Sequence, residues 1–107
     1  MLRRRDLALA AAGTAIAAPA VAQSGPVEIQ FWHGLAQPLG GLLEAIAGQF
    51  NESQSRVRIA SSFRGGYPET MVAAIAAFRA GTAPHIVQMF EVGTGTMINA
   101  GRAIVPL

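Results

Sequence analysis

Apolar and polar residues change their rhythm along this chain at regular intervals. Val27 to Trp32 (V-E-I-Q-F-W) alternates with a period of two, in β-branched and aromatic residues, and predicts a strand closed by His33-Gly34. From Pro38 to Phe50 the period lengthens. Leu39, Leu42, Leu43, Ile46, Ala47 and Phe50 recur at spacings of three and four, as in an amphipathic helix that starts at Pro38 and ends near Asn51-Glu52-Ser53. Arg56 to Phe63 returns to alternation and predicts a second strand, followed by a turn at Gly65-Gly66. A second helix runs from Pro68 to about Arg79 with Met71, Ile75 and Phe78 facing inward, and Gly81 stops it. His85 to Phe90 predicts a third strand. Thr94 or Thr96 then caps a short helix that Gly101 ends.

The order β-α-β-α-β-α with short connections implies a parallel sheet with right-handed crossovers, an α/β fold. Three parallel strands leave sheet edges unpaired and fewer than about ninety residues give little core. The expectation is a partial lobe of a longer product.

The 22 residues before this pattern read differently. Arg3-Arg4-Arg5 precede an apolar, alanine-rich run from Leu7 to Val21, and Ala20-Val21-Ala22 forms a small-x-small site. That is a secretory signal peptide over 1–22, cleaved before Gln23, and it makes 23–107 the mature piece. The run is too short for a membrane span, and Pro19 would break a helix within it. The arginines resemble a twin-arginine export signal without its full consensus, so the Sec route stays open.

Removing that segment changes the charge picture. The chain's formal charge of +2 comes from its first residues; from Gln23 onward five arginines balance five glutamates. There is no basic stripe for nucleic acid, and with no cysteine there is no thiolate chemistry.

Ligands of open parallel sheets bind beyond the carboxyl ends of the strands. That rule selects Trp32-His33-Gly34, Arg64 to Tyr67, and Glu91 to Thr94. Glu91 ends an apolar strand, where a charge must be paired or wet. It either accepts hydrogen bonds from ligand hydroxyls, pairs with an arginine, or sits on the dipole of the following helix. Tyr67 follows two glycines at a helix N-terminus, a place where backbone approaches a ligand and exposed amides favour an anion. Its phenol donates to a phosphate or hydroxyl oxygen, unless the ring simply packs on the sheet end. Trp32 is an apolar wall for a glycerol or sugar face, or a core indole. His33 hydrogen-bonds a phosphate or is satisfied by backbone. Arg64 is a phosphate ligand by chemistry or a solvated loop residue. His85 begins a strand, and Met71, Met89 and Met97 belong to the core. No nucleophile–base pair, metal cluster or spaced carboxylate pair points to catalysis, and no cofactor is implied.

As a string, G-G-Y followed by A-A-F-R-A-G-T-A-P and Q-M-F-E-V-G-T resembles the periplasmic glycerol-3-phosphate-binding proteins of ABC importers, within the extracellular solute-binding proteins. The similarity begins at Phe31-Trp32-His33, continues through Gln49-Phe50-Asn51 and is densest from Gly65 to Met97. Sugar-binding relatives commonly carry G-x-A-P-D, whereas His85 holds the aspartate position here. The resemblance implies a type II periplasmic-binding-protein fold of two lobes that close on ligand, with Tyr67 and Glu91 contacting it. It implies delivery to a membrane permease with its ATPase, and a phosphate-binding arginine beyond Leu107. Glutamate repels a phosphate dianion, so Glu91 is assigned the glycerol end. The alternatives are a sugar or oligosaccharide binder and an exported phosphodiester hydrolase.

Overall fold

The computed structural model describes residues 25–105; the signal-peptide reading of 1–22 lies outside the described residues. Strand β1 spans Val27–His33, β2 Val57–Phe63 and β3 Ile86–Val87, while α1 spans Leu39–Ser53, α2 Tyr67–Arg79 and α3 Glu91–Asn99. The strands form one parallel sheet in the order β2-β1-β3. The alternating α/β fold read from the sequence is therefore present. The chain steps from β1 to one side and then crosses back over it to β3. With right-handed crossovers this reversal places α1 and α2 on opposite faces of the sheet.

Register explains which residues each face receives. Val27 pairs with Val57 and His33 with Phe63, so Ile29, Phe31 and His33 share a face with Ile59, Ser61 and Phe63. The other face carries Glu28, Gln30 and Trp32 beside Arg58, Ala60 and Ser62. Its amino end is wet, and holds an exposed Arg58–Glu28 pair at 3.9 Å that contributes little. Burial concentrates at the carboxyl end instead, around Trp32, Ala74 of α2 and Met97 of α3.

Helix α1 ends at Ser53, within the stretch read as its end, and Gln54 takes the extended C-cap position. Other boundaries differ from the sequence reading. Tyr67 is already helical, with Gly66 as N-cap. Strand β3 is two residues rather than six. Beyond it, the Gln88 amide still donates to the Trp32 carbonyl at 2.8 Å. The Gly34 amide, however, is taken at 3.2 Å by the Gln88 side-chain oxygen, which ends regular pairing. Finally, neither Thr94 nor Thr96 caps α3. The helix starts at Glu91 after an extended Phe90, and the Thr94 hydroxyl donates back to the Phe90 carbonyl at 3.4 Å from inside it.

The apolar stripe of α1 is present but faces outward in part. Leu39, Leu42, Ile46 and Phe50 are exposed, whereas Leu43 and Ala47 are half-buried. In α2, Met71 and Ile75 are half-buried as expected and Phe78 is exposed. Among the described residues no helix is long and apolar enough to cross a membrane.

Candidate ligand cleft at the carboxyl ends of the strands

The strand order reverses its winding at β1 and β3, and the loops leaving those strands diverge to α1 and α3. Such a point opens a crevice beyond the strand ends. Here the crevice is floored by Gly34. A methyl group at this position would lie 2.9 Å from both Cδ1 and the backbone nitrogen of Tyr67, and 3.0 Å from the Gly66 carbonyl carbon. Only glycine permits the β1 loop to approach α2 so closely. Gly65, at φ +91°, supplies the left-handed turn that brings α2 there.

Two aromatic arrangements line the rim. Tyr67, half-buried at the start of α2, stacks on Phe90 with centroids 5.6 Å apart and planes 10° from parallel. The guanidinium of Arg64 lies over the Trp32 ring, 4.0 Å from its centroid. The Arg64 backbone is itself fixed, its amide donating to the His33 carbonyl at 3.0 Å. Thr70 is fully buried beneath the turn, and its hydroxyl donates at 3.3 Å toward the His33 and Gly65 carbonyls.

Glu91 occupies the first turn of α3 and is exposed. It is not the last residue of a strand, so the dipole of α3 and water both ease its charge. Trp32 is buried, with Arg64 across its ring, so the indole presents no bare wall to a ligand. His33 does not reach the rim. Its side chain is on the opposite face of the sheet, between Phe31 and Phe63, and fully buried against the start of α1 at Gly40. Its Nδ1 accepts the Leu35 amide at 3.3 Å, and Nε2 has no partner. Backbone satisfies this histidine, at one nitrogen. His85 begins the third strand as read: its amide donates to the Gln30 carbonyl at 3.1 Å and its Nδ1 accepts the Gln30 amide at 3.0 Å.

The helix N-terminus that the two glycines suggested as an anion site has a negative charge beside it. Glu69 folds back over it, with Oε2 2.9 Å from where a Gly66 Cβ would be. A residue the sequence reading passed over is Gln88, whose carboxamide and amide clip Gly34 and Trp32 to β3. The one available signal was a polar residue inside the apolar run I-V-Q-M-F. Among the described residues no group of His, Asp and Glu could hold a metal ion.

No family model matches the chain. It is 46% identical over 79 residues, 74% of its length, to the "sn-glycerol-3-phosphate-binding periplasmic protein UgpB" of Rhizobium meliloti. It is 46% identical over 80 residues to the protein of the same name from Yersinia pestis, and 40% identical over 98 residues, 92% of the chain, to that of Pectobacterium atrosepticum. The chain is homologous to the sn-glycerol-3-phosphate-binding periplasmic proteins. It spans about a fifth of their length, 18% of the first and 22% of the last. Among solved structures it superposes on the cyclic alpha-maltosyl-1,6-maltose binding protein of Arthrobacter globiformis. The TM-score is 0.66 at 27% identity, covering 73% of this chain and 20% of that one. The three-stranded parallel sheet with flanking helices is thus part of a type II binding-protein fold. All these relatives are named as binding proteins rather than enzymes.

Proposed function

We propose that the mature piece, 23–107, contributes the N-terminal part of the first lobe of a periplasmic solute-binding protein. It captures sn-glycerol 3-phosphate, or its diesters, and delivers it without chemical change to an ABC permease and its ATPase. The observation that carries this reading is the placement of Arg64 and Tyr67 where β2 leads into α2, and of Glu91 where β3 leads into α3, at the carboxyl ends of the strands in a chain homologous to glycerol-3-phosphate binders. Tyr67 is held by Phe90 and Gly34, and its phenol donates to a ligand oxygen. Glu91, exposed and acceptor-only, takes the glycerol hydroxyls and stands apart from the phosphate. The segment 1–22 directs export and is removed near Ala22/Gln23.

Calorimetric titration of the full-length, signal-free protein with sn-glycerol 3-phosphate, glycerophosphodiesters and maltose tests the proposal. Saturable binding of the glycerol phosphates supports it. Binding of maltose alone assigns the protein to sugar capture, the ligand class of the Arthrobacter structure. Fractionation of cells carrying Arg4→Lys with Arg5→Lys tests export: loss of periplasmic protein indicates the twin-arginine route, and normal yield the Sec route.

A further inference from the structure

We infer that Arg64, held by the face of Trp32, is the cation of this lobe that receives the phosphate of the ligand. The inference rests on the glycerol-phosphate reading above and assigns the anionic end of that ligand.

A phosphate dianion withdrawn from water requires a charge-assisted donor. The chain has no lysine, and its other arginines beyond Gln23 are placed elsewhere. Arg56 and Arg58 are at the amino end of β2, and Arg58 faces Glu28. Arg79 ends α2, and Arg102 lies beyond the C-terminus of α3. His33 is buried on the other face, and His85 precedes β3 with its Nδ1 engaged. Among the described residues, Arg64 is therefore the cationic side chain at the carboxyl ends of the strands. The competing anion site, the N-terminus of α2, has the Glu69 carboxylate beside Gly66, which repels a second anion. That leaves the guanidinium.

Its geometry suits the task. A guanidinium stacked on an indole uses its π-face, and its N–H donors lie in the plane of the group, directed away from the ring. No ion pair or hydrogen bond to those donors forms among the described residues, where the ion pair present is Arg58–Glu28. The stack removes rotamer freedom before ligand arrives, and the hydrogen bond from the Arg64 amide to the His33 carbonyl fixes the base of the side chain. The rim thus presents a planar, pre-oriented fork that matches two phosphate oxygens. Strand parity explains the placement: Arg64 lies two residues beyond Ser62, which pairs with Trp32, so continued alternation puts the two side chains on the same face.

The test is titration of the full-length protein and of Arg64→Gln and Arg64→Lys with sn-glycerol 3-phosphate and maltose at two ionic strengths. Expected is an Arg64→Gln affinity for the glycerol phosphate weaker by about 10- to 100-fold, the usual worth of a hydrogen bond to a charged group. Arg64→Lys should fall between, because it keeps the charge and loses the flat fork. The salt dependence of binding should also shrink in Arg64→Gln, which a packing role for Arg64 would not cause. Unchanged affinity and salt dependence in Arg64→Gln overturn the inference and leave the glycerol-phosphate function standing. A wild-type protein that binds maltose and no glycerol phosphate overturns both.

Discussion

The ring of Tyr67 lies parallel to that of Phe90 at a centroid separation of 5.6 Å, tying the first residue of α2 to the residue that opens α3. The stack holds the phenol with little remaining freedom, so its hydroxyl meets a ligand already oriented. Phe90→Ala removes the platform and half-buried apolar surface, and should destabilise the protein by about 2 kcal/mol while weakening ligand binding. Tyr67→Phe keeps the stack and loses only the hydroxyl, so stability should hold and affinity should fall. Urea denaturation and calorimetry on the same two variants separate the effects. Equal ligand affinity in Tyr67→Phe and wild type would remove the hydroxyl from the site.

Gly34→Ala should be among the most damaging small substitutions in the loop regions. The added methyl meets the Tyr67 backbone nitrogen at 2.9 Å and the Gly66 carbonyl carbon at 3.0 Å, and backbone cannot swing aside as a side chain can. Overpacking of this kind costs about 1–3 kcal/mol. The displacement should also move Tyr67 and lower affinity beyond what partial unfolding explains. A urea midpoint and ligand affinity equal to wild type would show that the β1 loop has slack that the contact distances deny.

Alternation in V-E-I-Q-F-W and the three-to-four spacing of α1 and α2 carried the element order, because burial of one strand or helix face is written directly in residue type. Tertiary competition was not. The end of β3 depends on Gln88 giving its side chain to Gly34 across 54 residues, and nothing local signals that. His33 shows the same limit within the site. Its neighbours in sequence place it at a strand end, but the parity of the strand turns its side chain to the face opposite Trp32, under α1. Periodicity marked Leu39, Leu42 and Ile46 as one apolar face without indicating that they stay exposed here. The loops bearing Arg64, Tyr67 and Glu91 were legible from topology alone. The Arg64–Trp32 stack was not, since it requires register as well as sequence.

The outer edge of β2 is closed by two carboxamides from the end of α1. Asn51 donates to the Ile59 carbonyl at 2.9 Å and accepts its amide at 2.7 Å, matching a strand partner. Gln54 does the same at Val57, accepting its amide at 2.8 Å and donating to its carbonyl at 2.5 Å. An open edge is a template for pairing with another chain. Asn51→Leu should cost about 2 kcal/mol from two unmade backbone bonds, and the double variant with Gln54→Leu should aggregate faster. Light scattering during mild heating checks this. A double variant as soluble and stable as wild type would mean water replaces the carboxamides without loss.

Glu91 separates a ligand role from a structural one more cleanly than any other residue of the cleft. It is exposed in the first turn of α3, with no ion pair to an arginine among the described residues, so its folding contribution is confined to the helix dipole. That contribution is about 0.3–1 kcal/mol. Glu91→Gln keeps size and one acceptor oxygen but loses the charge. The expected result is a thermal midpoint within a few degrees of wild type and an affinity for sn-glycerol 3-phosphate weaker by about tenfold or more, as for a lost charge-assisted hydrogen bond. Its neutral side chain also no longer repels phosphate, so any loss of affinity must come from the hydroxyl end of the ligand. Glycerophosphodiesters that keep the glycerol hydroxyls should suffer the same loss. If Glu91→Gln binds as tightly as wild type, or more tightly through relief of repulsion, Glu91 serves α3 and the glycerol end is held elsewhere.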